Sequence, residues 1–289
     1  MNREEKARKV RSAIIKTVKS EGTLSVNEIR IIISLERIVA RLSNDSKLDK
    51  HLVYKGGFVL LKTLGSNRFT RDLDALGLDL DKEKIALLVP VALALDLDDG
   101  FWFGDVKVES LDEQGEYGAL RFNCAYQIGD PPAKNEAIKK LSRIHFDVGF
   151  GDAIPTDLKR TTMQSLLTFD SKILWRVYPP EFIFSEKLQT LVNRESGNSR
   201  SKDVHDMCLL FEQCDLNKLL KAISNTFTCR GTKMPESFLA FAETLDIRML
   251  ESGWRSVKLS KEEKSFSEYW GYLKTHLAKI DIVLAKKKH

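Results

Sequence analysis

The sequence predicts an α+β fold: a mixed sheet with flanking helices up to about residue 178, followed by a mostly helical C-terminal half. Three observations carry this prediction. Ile144, Phe146 and Val148 alternate with His145 and Asp147, the period-two pattern of a half-buried strand. Ile29, Ile32, Ile33, Leu35, Ile38, Val39 and Leu42 recur at helical spacing and form a wide apolar stripe. After Pro179-Pro180 every apolar pattern has the helical period. The expected domains are therefore 1–178 and 179–289.

Taken in order, residues 3–20 predict a helix from Val10, Ile14 and Val18, and residues 26–43 a second, with Ser25 as its N-cap. A short strand from His51 to Tyr54 runs into Gly56-Gly57, and a helix then carries Phe58, Leu60, Leu61 and Leu64. Residues 71–78 predict a strand. Residues 82–95 predict a helix that Pro90 must kink or break, because proline lacks the N–H and crowds the preceding turn. Strands follow at 101–109 and 118–126, joined by a polar turn from Asp112 to Gly115, and then a polar excursion at 127–140. The strand at 143–149 closes this half. Helical patterns fill 180–194, 203–214, 216–225, 235–245 and 261–285, with a flexible loop expected from Glu195 to Lys202. Lys286-Lys287-Lys288 reads as a solvated tail.

With 289 residues, 43% hydrophobic and 30% charged, the chain is long enough to bury a sizeable core. No apolar run approaches the roughly 20 residues that cross a bilayer. The opening MNREEKARKVRSA is charged and lacks the apolar stretch of a secretory signal, so a cytoplasmic protein without a membrane is expected. Cys124, Cys208, Cys214 and Cys229 form no C-x-x-C pair, which argues against structural zinc and for reduced, mostly buried thiols. The net charge of +5 permits a nucleic-acid partner without demanding one.

Three segments carry candidate chemistry. In YKGGFVLLKTLGSNRFTRDLDALG, residues 54–77, two glycines open a helix whose positive end attracts phosphate. Asp72 and Asp74 lie two apart on a strand and so share a face, with Leu73 and Ala75 toward the core. Either feature alone reads as a tight turn or a solvated pair. Together they suit Mg²⁺, which takes oxygen ligands and often binds through one or two carboxylates plus substrate phosphates. In RIHFDVGFGD, residues 143–152, Asp147 shares the face of His145. If this strand lies beside 71–78, three carboxylates converge. Two like charges 4 Å apart repel by about 4 kcal/mol at an effective dielectric near 20, a repulsion that a divalent ion would convert into coordination. In PPEFIFSEKLQTLVNRESGNSRSKDVHDM, residues 179–207, Lys187 sits between Ile183 and Leu191 at the edge of the buried stripe. It could reach inward for a phosphate or return its ammonium to water. Asp203 and Asp206 share a helix face, and Arg200 and Lys202 stand beside them as phosphate ligands or loop charges.

The ordered blocks LERIVARLSND, YKGGFVLLKTLGSNRFTRDLDALG, HFDVGFGDAI, YPPEFIFSEKLQTLVNR and SRSKDVHDM resemble the AbiEii/AbiGii toxin family of nucleotidyltransferases, within the DNA-polymerase-beta-like superfamily. The resemblance covers roughly residues 30–215 and implies the nucleotidyltransferase fold. It also implies transfer of a nucleoside monophosphate from a triphosphate, with Mg²⁺ or Mn²⁺, in a toxin–antitoxin or phage-defence pair. Residue by residue, it implies metal binding by Asp72, Asp74 and Asp147. Triphosphate contacts fall on Gly56, Gly57, Lys55, Arg71, Lys187, Arg200, Lys202 and Asp206, and functional roles on Lys187 and Asp203. A tRNA 3′ end as acceptor and a cognate antitoxin as partner are likewise implied; the alternatives are nucleotide transfer to a protein side chain and a catalytically silent module that binds nucleotide or a partner. Two departures are visible: His205 where an aromatic is frequent, and Thr70 where a serine is.

Overall fold

The computed structural model describes residues 2–21, 23–111, 118–156, 158–167, 172–259 and 264–287. The expected turn at 112–115 and Lys288 lie outside them. The chain divides into two units: one of residues 1–63, 70–150 and 158–177, the other of 64–69, 151–157 and 178–289.

In the first unit, α1 (Arg3–Glu21) and α2 (Val26–Asn44) cover a five-stranded sheet. The expected stripe of α2 is buried along its length. Ser25 caps α2 by accepting from the Glu28 backbone N–H, and Glu28 reaches back to the Ser25 N–H in a reciprocal capping box. Ser25→Ala is expected to lower stability by about 1 kcal/mol, measured as a shift of the urea unfolding midpoint.

The strands are β1 (Leu52–Lys55), β2 (Leu73–Gly77), β3 (Phe101–Ser110), β4 (Ala119–Ile128) and β5 (Arg143–Gly149), in the spatial order β1-β2-β5-β4-β3. Among the described strands of this sheet β2 and β5 pair in parallel, and the β1–β2, β3–β4 and β4–β5 pairings are antiparallel. Between β1 and β2 lies α3 (Gly56–Thr63), and α4 (Lys82–Leu93) follows β2. α4 passes through Pro90 and ends within one turn of it, two residues short of the expected end. A short α5 (Asn135–Ile138) interrupts the polar excursion before β5.

A two-stranded ribbon, β6 (Arg160–Met163) with β7 (Ile173–Arg176), was not expected from the sequence. It carries Trp175, fully buried, whose ring centroid lies 5.6 Å from that of Tyr54 and 6.1 Å from that of Phe58. The ribbon thereby seals the end of the sheet at β1.

The second unit is helical: α6 (Pro180–Arg194), α7 (Ser201–Phe211), α8 (Leu216–Cys229), α9 (Phe238–Thr244), α10 (Arg248–Gly253) and α11 (Phe266–Lys287). Two expectations need correction. Residues 195–202 are structured: a 3₁₀ turn spans Glu195–Gly197, Asn198 is buried, and α7 begins at Ser201. Lys286 and Lys287, expected in a tail with Lys288, belong to α11, which continues to Lys287.

None of the four cysteines is in a disulfide. Cys124 and Cys208 are buried, Cys214 is half-buried and Cys229 is exposed, fewer buried thiols than expected. Burial pushes the Cys124, Cys208 and Cys214 thiols up to about 12, so none of these three is a thiolate at neutral pH. No helix among the described residues is long and apolar enough to cross a membrane.

Candidate active site

The first unit's site is built on the strand–turn–helix β1–α3 and its neighbour β2. Gly56 has φ +75°, a left-handed conformation that a side chain would strain. A methyl group built there would also collide with Asp74 Oδ2. The glycine therefore serves two needs: the turn, and the seat of the Asp74 carboxylate against bare backbone. Gly56→Ala is expected to reduce nucleotide transfer about 100-fold, since displacing a reacting group by about 1 Å can cost that much. The check is the transfer rate at saturating substrate.

Asp74 pairs with Lys55 across the antiparallel β1–β2 ladder and with Asp147 across the parallel β2–β5 ladder. The strand adjacency foreseen for the acidic segments is present, and Leu73 and Ala75 are buried on the opposite face. Asp72 sits one residue before β2. The Thr70 hydroxyl accepts from the Asp72 N–H and donates to its C=O, both at 3.3 Å. A serine would make the same two bonds, so the Thr70 departure leaves this turn unchanged.

His145 Nε2 lies 3.2 Å from Asp72 Oδ1. That hydrogen bond raises the His145 pKa above its ordinary value, and the negative charge of Asp72 adds to it. Asp147 accepts two hydrogen bonds from Arg121, from Nε at 2.9 Å and Nη2 at 2.8 Å, across the β4–β5 ladder. The sequence reading missed Arg121. Here it supplies the countercharge that the reading assigned to a metal, and its own pKa rises through this bond.

The three aspartates thus differ in their surroundings. Among the described residues no group of three or more His, Cys, Asp or Glu side chains is arranged to hold a metal ion. The donor chemistry that fits a hard cation is the Asp72 and Asp74 pair, with phosphate oxygens completing the shell. Asp147, expected as a third ligand, accepts both hydrogen bonds of the Arg121 fork. Of the expected nucleotide contacts in this unit, Arg71 is exposed and Lys55 half-buried. Gly57 occupies the first turn of α3.

The second unit collects the late motif residues into a chain of alternating charge. Arg68 donates to Asp206 from Nε at 2.8 Å and from Nη2 at 2.9 Å. Lys187 Nζ lies 2.9 Å from Asp206 and 2.6 Å from Asp203, and Arg200 Nε donates to Asp203 at 2.6 Å. Burial raises the Asp206 pKa, but Lys187 and Arg68 outweigh it and hold the carboxyl well below its usual range. Asp203 is lowered likewise against its burial by Lys187 and Arg200. Burial pulls Lys187 down, and the two aspartates more than restore it.

Lys187 is therefore 8% exposed and bound to two acids, neither snorkelling to water nor presented as an isolated cation. Lys202 is half-buried beside this chain. His205 fills its aromatic position by packing on Tyr269, ring centroids 5.1 Å apart, and also bonds Asp206 and Asn67. Asp152, which ends the D-V-G-F-G-D block, is bound by Arg230 at 2.6 and 2.9 Å.

The fold has close counterparts. JHP933 from Helicobacter pylori superposes with a TM-score of 0.58 at 18% identity, over 92% of this chain and 97% of that one. A second H. pylori protein, described as a candidate nucleotidyltransferase, gives 0.56 at 18% identity over 92% and 100%. No protein of curated function matches the chain in sequence. At 18% identity these likenesses are likenesses of fold.

Residues 37–270 match the family described as Nucleotidyl transferase AbiEii toxin, Type IV TA system. The chain belongs to that family, and is a nucleotidyltransferase of a toxin–antitoxin type.

Proposed function

We propose that the protein moves a nucleoside monophosphate from a triphosphate to an acceptor hydroxyl, the 3′ end of a tRNA, and that an antitoxin restrains it in the cytoplasm. The observation that carries this reading is the seating of Asp74 on Gly56, which joins a phosphate-binding turn to a carboxylate. Gly56 and Gly57 let the first turn of α3 bring its backbone N–H groups to the phosphates, with Lys55 and Arg71 as flanking cations. Asp72 and Asp74 would hold Mg²⁺ or Mn²⁺, which supplies charge neutralisation at the α-phosphate and the leaving pyrophosphate. His145 orients Asp72 through its hydrogen bond. Asp147, with Arg121 fixing its carboxylate, orients the acceptor hydroxyl and takes its proton.

In the second unit, Arg200 and Lys202 are offered as phosphate contacts; the Arg200 side chain is 41% exposed. Lys187, Asp203 and Asp206 position α6 and α7 through their ion pairs. The +4 carried by residues 151–289 supports an RNA acceptor.

The test incubates the purified protein with each α-labelled triphosphate, Mg²⁺ and either total RNA or lysate protein. Label on tRNA is the expected result. Label on protein would replace the acceptor, and binding of triphosphate with no transfer to either would overturn the reading.

A further inference from the structure

Residues 85–95, IALLVPVALAL, contain no polar side chain. They form most of α4 and the turn that ends it. Ile85, Val89, Ala92 and Leu93 are buried where α4 packs on α2 and β3. The opposite side of the helix is apolar as well, and it faces solvent. Leu87 is 73% exposed and Val91 62%, the two highest values among the large hydrophobic side chains of the described residues. Leu95 is exposed too. Its N–H bonds the Ala92 carbonyl, so the chain keeps turning to that point and Leu95 continues the row. Residues four apart share a helix face, so 87, 91 and 95 form one stripe, with Leu88 and Ala94 at its margins. A single exposed leucine is ordinary on a protein surface, whereas a helix that is apolar all round is ordinarily covered all round.

The pattern around Val91 is its own complement. Leu87 and Leu95 stand four residues before and after it, and Lys84 and Asp98 seven before and after. Two copies laid antiparallel about a two-fold axis at Val91 set Leu87 against the second copy's Leu95 and Lys84 against its Asp98, each pairing occurring twice. Both charged side chains are exposed, while Lys84 also pairs with Asp81 and Asp98 with Lys6. The other charges at the two ends do not oppose this register. Glu83 would meet Asp99, which is buried and held by Arg41 at 2.7 and 3.0 Å. Asp96, bound by Arg3, would meet Ala86, and Lys82, which lies over the Phe150 ring, would meet Gly100. An unrelated partner would need no such symmetry, so the pattern selects a second copy of this chain.

We propose that α4 is a self-association face, on which two copies pair antiparallel through Leu87, Val91 and Leu95, with Lys84 and Asp98 fixing the register. One helix face offers less than the roughly 800 Å² per partner of a standard interface, so the pairing is weak and concentration-dependent. Charges at the rim of such a contact set alignment more than affinity.

The test is sedimentation velocity of the full chain at loadings from about 1 µM to 1 mM, where weak specific contacts form. The expected result is a reversible rise from the mass of one chain toward that of two. Leu87→Lys and Val91→Lys should each weaken dimerisation at least about tenfold by placing a charge in the apolar contact, without lowering Tm, since both positions face solvent in the single chain. Lys84→Asp and Asp98→Lys should each weaken it about threefold when measured alone, because like charges then meet twice. An equimolar mixture of these two variants should recover the parent affinity, because both pairings are then opposite in sign. A single-chain mass at every loading would overturn the proposal, and a stripe covered by a different protein would show as that outcome. So would a dimer that survives Val91→Lys, or a mixture no tighter than its components.

Discussion

Asp72→Ala is expected to lower nucleotide transfer by at least three orders of magnitude, about 4 kcal/mol of barrier. The carboxylate is, with Asp74, one of two oxygen donors on the face beside the Gly56 turn, and in the proposed reaction this pair would hold the metal. The fold should survive the change. Asp72 is half-exposed, and its hydrogen-bond partner His145 is itself 39% exposed. A pair so open to water contributes at most about 1 kcal/mol. The measurement is therefore paired: transfer of label to RNA falls, and the urea midpoint stays. Asp72→Ala with transfer within tenfold of the parent would remove the carboxylate from the mechanism. Arg121→Ala provides a graded companion. It should lower the rate less than loss of Asp72, since Asp147 keeps its charge and loses only its orientation.

Asp206→Ala is expected to act on stability instead, by about 3–5 kcal/mol in urea unfolding. Asp206 has no exposed surface and receives both Arg68 and Lys187. Removing it takes a carboxylate from two buried cations at once, Arg68 and Lys187. Asp206→Asn should fall between parent and alanine, because the amide oxygen still accepts one hydrogen bond without balancing charge. The same pairings set the pH response. Asp203 and Asp206 have folded pKa values below their unfolded ones, so their stabilisation is present above pH 4 and is lost as pH falls through the folded values. Lys187 has a raised folded pKa, so its contribution persists through neutral pH and disappears only as pH climbs past that value. Stability of the parent should therefore be flat near neutrality and drop in acid, and the acid limb should be shallower in Asp206→Asn.

Much of this was legible because it rests on local periodicity. The stripe of α2, the alternation of β5 and the Pro179-Pro180 boundary before α6 all repeat within a few residues, and each element appears where its pattern lies. The glycine–aspartate juxtaposition was readable from spacing, since a strand–turn–helix returning to an adjacent strand brings 56 and 74 together. What escaped depends on register and on distant partners. Arg121 faces Asp147 only because β4 and β5 pair in one particular alignment. Arg68 lies 138 residues from its partner Asp206. The β6–β7 ribbon has four-residue strands, too short for alternation to declare itself, so Trp175 could not be assigned to the core. Residues 195–202 misled because polar composition reads as solvent, whereas Asn198 and Ser201 are buried.

The helical unit draws two short pieces from far upstream, 64–69 and 151–157, and these carry Arg68 and Asp152. A fragment severed at residue 178 would leave behind the guanidinium that neutralises Asp206 and the carboxylate that neutralises Arg230. The electrical balance of the C-terminal half is written partly in the other half of the polypeptide, so an exchange of that half between relatives is expected to keep its stability only if both upstream pieces travel with it.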